Sequence, residues 1–392
     1  MRRTVVVTGA GVISALGCAP AEVHHALTTG RRAGAIADFD PKAHFGARNA
    51  RPLDRLEALA IARVFGDAAR RLDRLAQFVA AAAGLALADG GCSPEHRRDR
   101  PVGLVLGTMF AGVRTICAFD RRALELGPEY ASPLDFANTV LNAPAGQAAI
   151  WHNLRGPNAT IAAGVASGLQ AIAYASELIA SGAADAVLAG GADERAPETL
   201  DALARAGLLG REDAPAVPYA TDRDGFTLGE AAAFVLLEAA EAARERGARV
   251  RATIAGHSVC RAALDEARAA STDIDAVSAA GSGSVDVDAC EARALDLLFG
   301  DRAQPVPLIA VKAGLGETLG ASGPLQLMAA MEAARSGCLP GVAGLESTDI
   351  NVTHVDIRQE ARPLRVNTTL IAAIGWDGHC CAIVIGTAAN DA

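Results

Sequence analysis

Nothing in this 392-residue chain is apolar for long enough to cross a bilayer. The longest unbroken run, Phe78 to Ala88, stops well short of the roughly 20 residues that a spanning helix needs. Basic charge is scarce as well. Lys and Arg number 36 against 45 Asp and Glu, a formal net charge of −9 with no outstanding basic cluster, so the electrostatic footprint of a nucleic-acid binder is missing. The eight cysteines (Cys18, Cys92, Cys117, Cys260, Cys290, Cys338, Cys380, Cys381) hold no CxxC pair and are too sparse for a disulfide scaffold. That argues for a reducing, cytoplasmic setting. The histidines are scattered without ligand spacing, so neither metal nor other cofactor is expected. Lysine is almost absent: only Lys42 and Lys312 occur, arginine taking the ordinary surface positions. A lysine kept in the glycine-rich apolar segment around Lys312 therefore stands out.

What is present is apolar bulk. Hydrophobic residues at 51% against 21% charged supply a packed core and exclude global disorder. At roughly 150 residues per domain, the length fits two to three domains or one large duplicated fold. Met1-Arg2-Arg3 before an apolar stretch loosely imitates a secretory signal. Thr8, Gly9, Gly11 and Ser14 interrupt that stretch, which reads better as a strand entering a tight glycine turn in the mature protein. Gly9-Ala10-Gly11 also imitates part of a dinucleotide fingerprint. Ser14 stands where the third glycine would fall, and no acidic strand end follows about 20 residues on, so a structural turn is the better reading.

Short β-rich runs ending in glycine alternate with alanine-rich helical stretches. Val5-Val6-Val7 leads into Thr8-Gly9, Val102 to Leu106 into Gly107, and Ala186 to Ala189 into Gly190-Gly191. Between the last two, Leu169, Ile172, Ala173, Ser176 and Ile179 recur at helical spacing. This alternation predicts an α/β protein with a mainly parallel sheet. Glu238 to Arg249, charged and lacking a broad apolar face, reads as a surface connection. Beyond it, Val250 to Ile254, Ala276 to Ala279, Leu308 to Val311, Leu370 to Ile374 and Ala382 to Ile385 read as buried strands. Two halves of one style, 1–245 and 246–392, follow.

Four ordered segments resemble the β-ketoacyl synthases of the thiolase-like superfamily. Gly156 to Thr160 leads into Ala166 to Ile172; Tyr219 to Glu230 (YATDRDGFTLGE) is similar to "DxxRDGFVxGEG". Gly281 to Ser284 with Asp288 and Glu291 is similar to "HGTGTxxxDxxE", and Val311-Lys312 with Gly316, Gly320, Ala321 and Gly323 to "SKSxxGHxxGAAG". The resemblance spans essentially the whole chain and implies a thiolase-like fold, two pseudo-repeated halves layered α/β/α/β/α. In an active ketosynthase, a cysteine at a helix N-terminus, activated by the helix dipole, takes an acyl group from an acyl carrier protein. Two histidines then assist malonyl decarboxylation and condensation.

This chain departs at all three positions. Val165 stands at the nucleophile, Ala280 at the first histidine and Glu317 at the second, where a carboxylate would repel a malonyl carboxylate. No catalytic residue is assigned, and no condensation is expected. Glu291 and Lys312 sit where the family has a buried acid–lysine pair, and burying either alone would cost about 3–5 kcal/mol. Asp224-Gly225-Phe226 looks retained as scaffold. The pattern resembles the chain length factor, the ketosynthase β subunit of type II polyketide synthases, although that family usually carries glutamine where this chain has Val165. The resemblance implies a non-condensing subunit that dimerises with an active ketosynthase, meets the acyl carrier protein through that complex, and closes its polyketide or polyene tunnel. The family's tunnel-blocking helix falls at Met109 to Asp120, where Val113, Ile116 and Cys117 share a face. Their modest volume implies a roomy end and a long or linear product.

A rival reading is a stand-alone enzyme of the same fold, an acyltransferase or malonyl decarboxylase using Glu317 as acid or base. It needs a replacement nucleophile. His379 beside Cys380 would be adjacent on an extended chain and point to opposite faces, so core cysteines entering a strand are the better reading. Ser167 reads as a packing or helix N-terminal residue, and Asp286 and Asp288 as facing solvent or supporting their loop.

Overall fold

The structure is a computed structural model describing residues 2–32, 72–211, 216–258 and 260–387. In chain order its strands are β1 (Val5–Ser14), β2 (Val102–Gly107), β3 (Asn158–Ile161), β4 (Ala186–Asp193), β5 (Ala231–Ala239), β6 (Ala252–Ser258) and β7 (Ala276–Ser278). There follow β8 (Val306–Ile309), β9 (Cys338–Leu339), β10 (Val355–Asp356), β11 (Arg362–Pro363), β12 (Thr368–Ile374) and β13 (Cys380–Thr387). The helices of eight residues or more are α1 (Pro20–Thr28), α2 (Arg74–Asp89), α3 (Val113–Leu126), α4 (Ala143–His152) and α5 (Ser167–Ala180). Then come α6 (Pro197–Arg205), α7 (Cys260–Ala267), α8 (Val285–Leu298) and α9 (Ser322–Ser336).

Eleven strands form one sheet, in the order β10-β8-β7-β12-β13-β6-β1-β5-β4-β2-β3, while β9 and β11 pair separately. The order reads the same outward from its centre. On one side β5 is antiparallel to both β1 and β4, and β4, β2 and β3 run parallel. On the other side β13 is antiparallel to both β6 and β12, and β12, β7 and β8 run parallel. A short β1–β6 ladder, Val5 to Val7 against Ile254 to Ala252, joins the two.

The layers follow from strand alternation, which sends successive side chains to opposite faces. Val235 and Leu237 of β5, Ile371 of β12 and Ile383 of β13 join Leu169, Ile172 and Ile179 of α5 and Leu325 and Ala329 of α9 in one core. Phe234 and Leu236, one residue out of phase, pack instead with Phe78, Val79 and Ala82 of α2. Leu370 and Val384 likewise meet Leu264 of α7 and Leu295 of α8. Two half-sheets thus enclose α5 and α9 and carry outer helices: α/β/α/β/α.

Three expectations need correction. The sheet is mixed, not mainly parallel, since the five pairings from β4 to β1 and on to β12 are antiparallel: antiparallel neighbours fill the centre and parallel crossovers only the flanks. No turn forms at Gly9-Ala10-Gly11; β1 runs through it with a bulge between Val7 and Gly9. The glycines serve helix contact, since a Cβ on Gly9 would lie 2.3 Å from the Ala86 carbonyl oxygen and one on Gly11 2.2 Å from that of Ala82. Nor is Glu238 to Arg249 a simple surface connection. Glu238 is a buried residue of β5 that binds Thr8 and Arg246, while Ala242 and Ala243 of the short helix Ala240–Glu245 are buried too. The charge was legible there, but its internal partner was not. Among the described residues no helix is long and apolar enough to cross a membrane.

Candidate functional site

Open α/β sheets place their ligand sites at the carboxyl ends of parallel strands. Here the loops leaving β3, β7, β8 and β12 carry Val165, Ala280, Glu317 and Trp376 respectively. The extended segment Asp224 to Gly229 runs among them. Thr227 O accepts from Glu317 N at 2.8 Å, Gly283 O accepts from Gly225 N at 3.0 Å, and Val165 packs with Phe226, Leu228 and Leu319.

All three of the expected positions are closed to solvent: Val165 is 2% exposed, Ala280 1% and Glu317 1%. Val165 lies just ahead of α5, after Gly164 at φ +55. A side chain at Gly164 would collide with the Asp377 carboxylate, and one at Gly375 would lie 2.5 Å from a Val165 methyl. Trp376 stacks on Phe226 with ring centroids 4.8 Å apart. The Gly375–Gly378 loop therefore closes over Val165. Ser167 is spent on structure: its Oγ accepts from Ala163 N at 2.8 Å and lies within donating distance of Gly164 O (2.6 Å) and Thr108 O (3.1 Å).

Glu317 is fully engaged. Oε2 takes the Lys312 ammonium at 2.6 Å, while Oε1 accepts from Leu319 N at 2.9 Å and Ser322 Oγ at 2.8 Å. The direct pair expected between Glu291 and Lys312 is therefore corrected: Lys312 pairs with Glu317. Glu291 instead accepts from Tyr219 Oη at 2.7 Å, Ala280 N at 2.7 Å and Gly281 N at 2.9 Å. Burial raises its carboxyl to about 7 against the pull of those donors. Asp288, also buried, accepts from Ser282 N, Gly283 N and Tyr219 N. The two acids three residues apart on one helix face thus fold the Ala280–Gly283 loop onto α8, while Asp286 is exposed.

Sequence reasoning missed the acids at the end of β4. Asp193, fully buried, accepts from Thr108 Oγ1, Met109 N, Phe110 N and Gly320 N at 2.8–2.9 Å, and burial raises it to about 6. Glu194 beside it lies near Arg74 and Arg114. The only signal was two acids directly after a glycine-ended strand. Val113, Ile116 and Cys117 are all half-buried on α3, a helix with no fully buried residue. Burial pushes the Cys117 thiol up and raises that of Cys381 to about 12, so neither is an activated nucleophile. His379 leans toward Asp377, Nδ1 to Oδ1 3.5 Å, with its neighbour Cys380 exposed. Among the described residues no group of His, Cys, Asp or Glu is arranged to hold a metal.

The beta-ketoacyl synthase N-terminal domain model matches residues 2–243, and the corresponding C-terminal domain model matches residues 234–346. The chain is 31% identical to the granaticin polyketide putative beta-ketoacyl synthase 1 of Streptomyces violaceoruber, over 98% of each. It is 29% identical to 3-oxoacyl-[acyl-carrier-protein] synthase 2 of Rhizobium meliloti, again over 98% of each. Among solved structures, the ishigamide ketosynthase/chain length factor superposes with TM-score 0.90 at 27% identity, covering 99% of this chain and all of that one. With a thiolase-like architecture and these relatives, the chain belongs to the beta-ketoacyl synthase family.

Proposed function

We propose that this chain is the non-condensing subunit of a ketosynthase heterodimer, a chain length factor of type II polyketide or polyene synthesis. Its two halves, 1–245 and 246–392, are the duplicated ketosynthase halves. The observation that carries the reading is the state of the three positions where a condensing enzyme holds cysteine and two histidines. Val165 and Ala280 have no reactive group. Glu317 has both oxygens committed to Lys312, Leu319 and Ser322. A carboxylate so bound is a poor acid or base, which also speaks against the decarboxylase and acyltransferase alternative.

The partner surface is supported by exposed apolar side chains on the segments between β2 and edge strand β3. Leu124, Leu126, Tyr130, Phe136, Leu141 and Ile150 are all exposed, Leu124 by 86% and Ile150 by 83%. So many exposed large apolar side chains in one stretch of chain support an interface. β3 is also one of the two ends of the sheet order, where an edge strand can pair with another chain. An active ketosynthase subunit would cover this face, the acyl carrier protein reaching the pair through it. Val113, Ile116 and Cys117 would then form the far wall of the shared tunnel, a steric ruler of modest side chains.

Co-expression with a condensing ketosynthase from the same biosynthetic locus tests this. A stable complex that makes polyketide only when both chains are present is expected; recovering the two chains separately would defeat the reading. Incubating this chain alone with malonyl carrier protein should release no carbon dioxide.

A further inference from the structure

Helix α3 is held in an unusual way. Its side chains are strongly amphipathic, yet none of them is fully buried, so little core packing fixes where the helix lies. Its N-cap is Gly112, which has no side chain to accept from the first-turn amides that every helix leaves unpaired. The acceptor comes from elsewhere. Glu194, at the exit of β4, takes the Arg114 backbone N–H on Oε1 at 3.3 Å, and the Arg114 guanidinium donates to Arg195 O at 2.8 Å. A carboxylate here also meets the positive end of the α3 dipole.

Glu194 is itself pinned from behind. Its side chain is 1% exposed, and Oε2, which accepts no hydrogen bond among the described residues, lies near the Nε atoms of Arg74 (3.9 Å) and Arg114 (3.8 Å). Arg74 continues the chain to Glu230 Oε1 at 2.8 Å, and Glu230 Oε2 accepts Arg195 N at 3.0 Å. The adjoining Asp193 fixes the turn Thr108–Phe110 that leads into α3. One corner after β4 thus ties the start of α3 to α2, β2 and β5.

We infer that Glu194 is the positioning residue of the tunnel wall, setting product length by fixing where Val113, Ile116 and Cys117 stand. The inference rests on the reading of α3 as that wall. Burial raises the Glu194 carboxyl to about 7, with Arg114 and Arg74 opposing and Asp73 adding to the rise; Asp193, Arg195 and Glu230 are its other charged neighbours. Release of α3 takes away the Arg114 guanidinium and N–H, both of which pull the carboxyl down, and leaves Glu194 buried at the end of β4, where it binds a proton more tightly still; the wall therefore loosens on the acid side.

The test uses the ketosynthase heterodimer, with product lengths read by mass spectrometry from pH 6 to pH 8. In the parent protein, the fraction of off-length product rises toward pH 6. Glu194→Gln keeps an acceptor for Arg114 N–H without the charge, and its product distribution is flat over that range. Glu194→Ala removes the cap and raises the off-length fraction about fivefold at pH 8, the factor a lost helix cap corresponds to. Should the Ala variant fail to assemble, the pH profile of the Gln variant decides. A pH dependence that survives in Glu194→Gln would assign the effect to Asp193 or another group and overturn the inference. Val113→Trp and Ile116→Trp run alongside. If they shorten products while Glu194 variants keep the parental lengths and pH profile, the anchor is refuted and the wall stands. If they too change nothing, the wall reading itself falls.

Discussion

Glu317→Ala is the most direct probe of how the old site is now held together. The substitution leaves Lys312, itself 3% exposed, without its ion-pair partner among the described residues, and strips the Leu319 amide of its acceptor, while the Ser322 hydroxyl can turn to Thr318 Oγ1 at 2.9 Å. Removing one member of a buried pair costs about 3–5 kcal/mol, chiefly because a buried charge is left uncompensated. The unpaired amide would cost about 1–3 kcal/mol in isolation, but it shares one cavity with the ammonium and will not add fully. A total near 4 kcal/mol is about half the stability of a typical domain. The double variant Lys312→Met/Glu317→Leu separates charge from packing: apolar replacement of an entire buried pair is often neutral. It should therefore recover most of the loss. The assay is urea unfolding of the purified protein in its heterodimer, followed by intrinsic fluorescence and by far-UV circular dichroism to test for a single transition. A loss under about 1 kcal/mol for the single variant would refute the reasoning, since that is the worth of a solvent-exposed pair.

Val165→Cys should not restore condensation: the new thiol would be closed in beneath the Gly375–Gly378 loop and would lack both histidines, and a stable acyl adduct seen by intact mass would contradict this. Gly375→Ala, whose Cβ would meet a Val165 methyl at 2.5 Å and the Asp377 carboxylate at 2.3 Å, should lower stability by about 1–3 kcal/mol, read from the shift in urea midpoint. Glu291 binds a proton more tightly folded than unfolded, its carboxyl being raised from 4.5 to about 7. Its contribution to stability is thus fully present below about pH 4.5 and lost as pH rises through 7, on the order of 3 kcal/mol over that window. Replacing Glu291 with Leu should flatten that part of the stability–pH curve, and an unchanged slope would show that the carboxyl is not buried as described. Ser167→Ala, which removes an acceptor for Ala163 N and a donor toward Gly164 O, should cost about 1–3 kcal/mol without altering product length.

The sequence by itself determined the strand-and-helix alternation, the family, and the chemistry missing at Val165, Ala280 and Glu317. Each of these depends on residue identity at a local spacing: period-2 and period-3.6 apolar patterns, glycines after strands, a valine where sulfur would be. Tertiary structure alone decided which charges meet. Lys312 lies five residues before Glu317 and is bonded to it, whereas the acid expected as its partner, Glu291, closes a loop with Tyr219. The same holds for Gly9 and Gly11, whose role depends on α2 passing at backbone distance from β1, and for Glu194, which caps a helix that begins 81 positions earlier at Val113. Propensity and periodicity are written along the chain. The pairing of buried charges is fixed only when distant segments are packed together and each ion must find a partner in place of water.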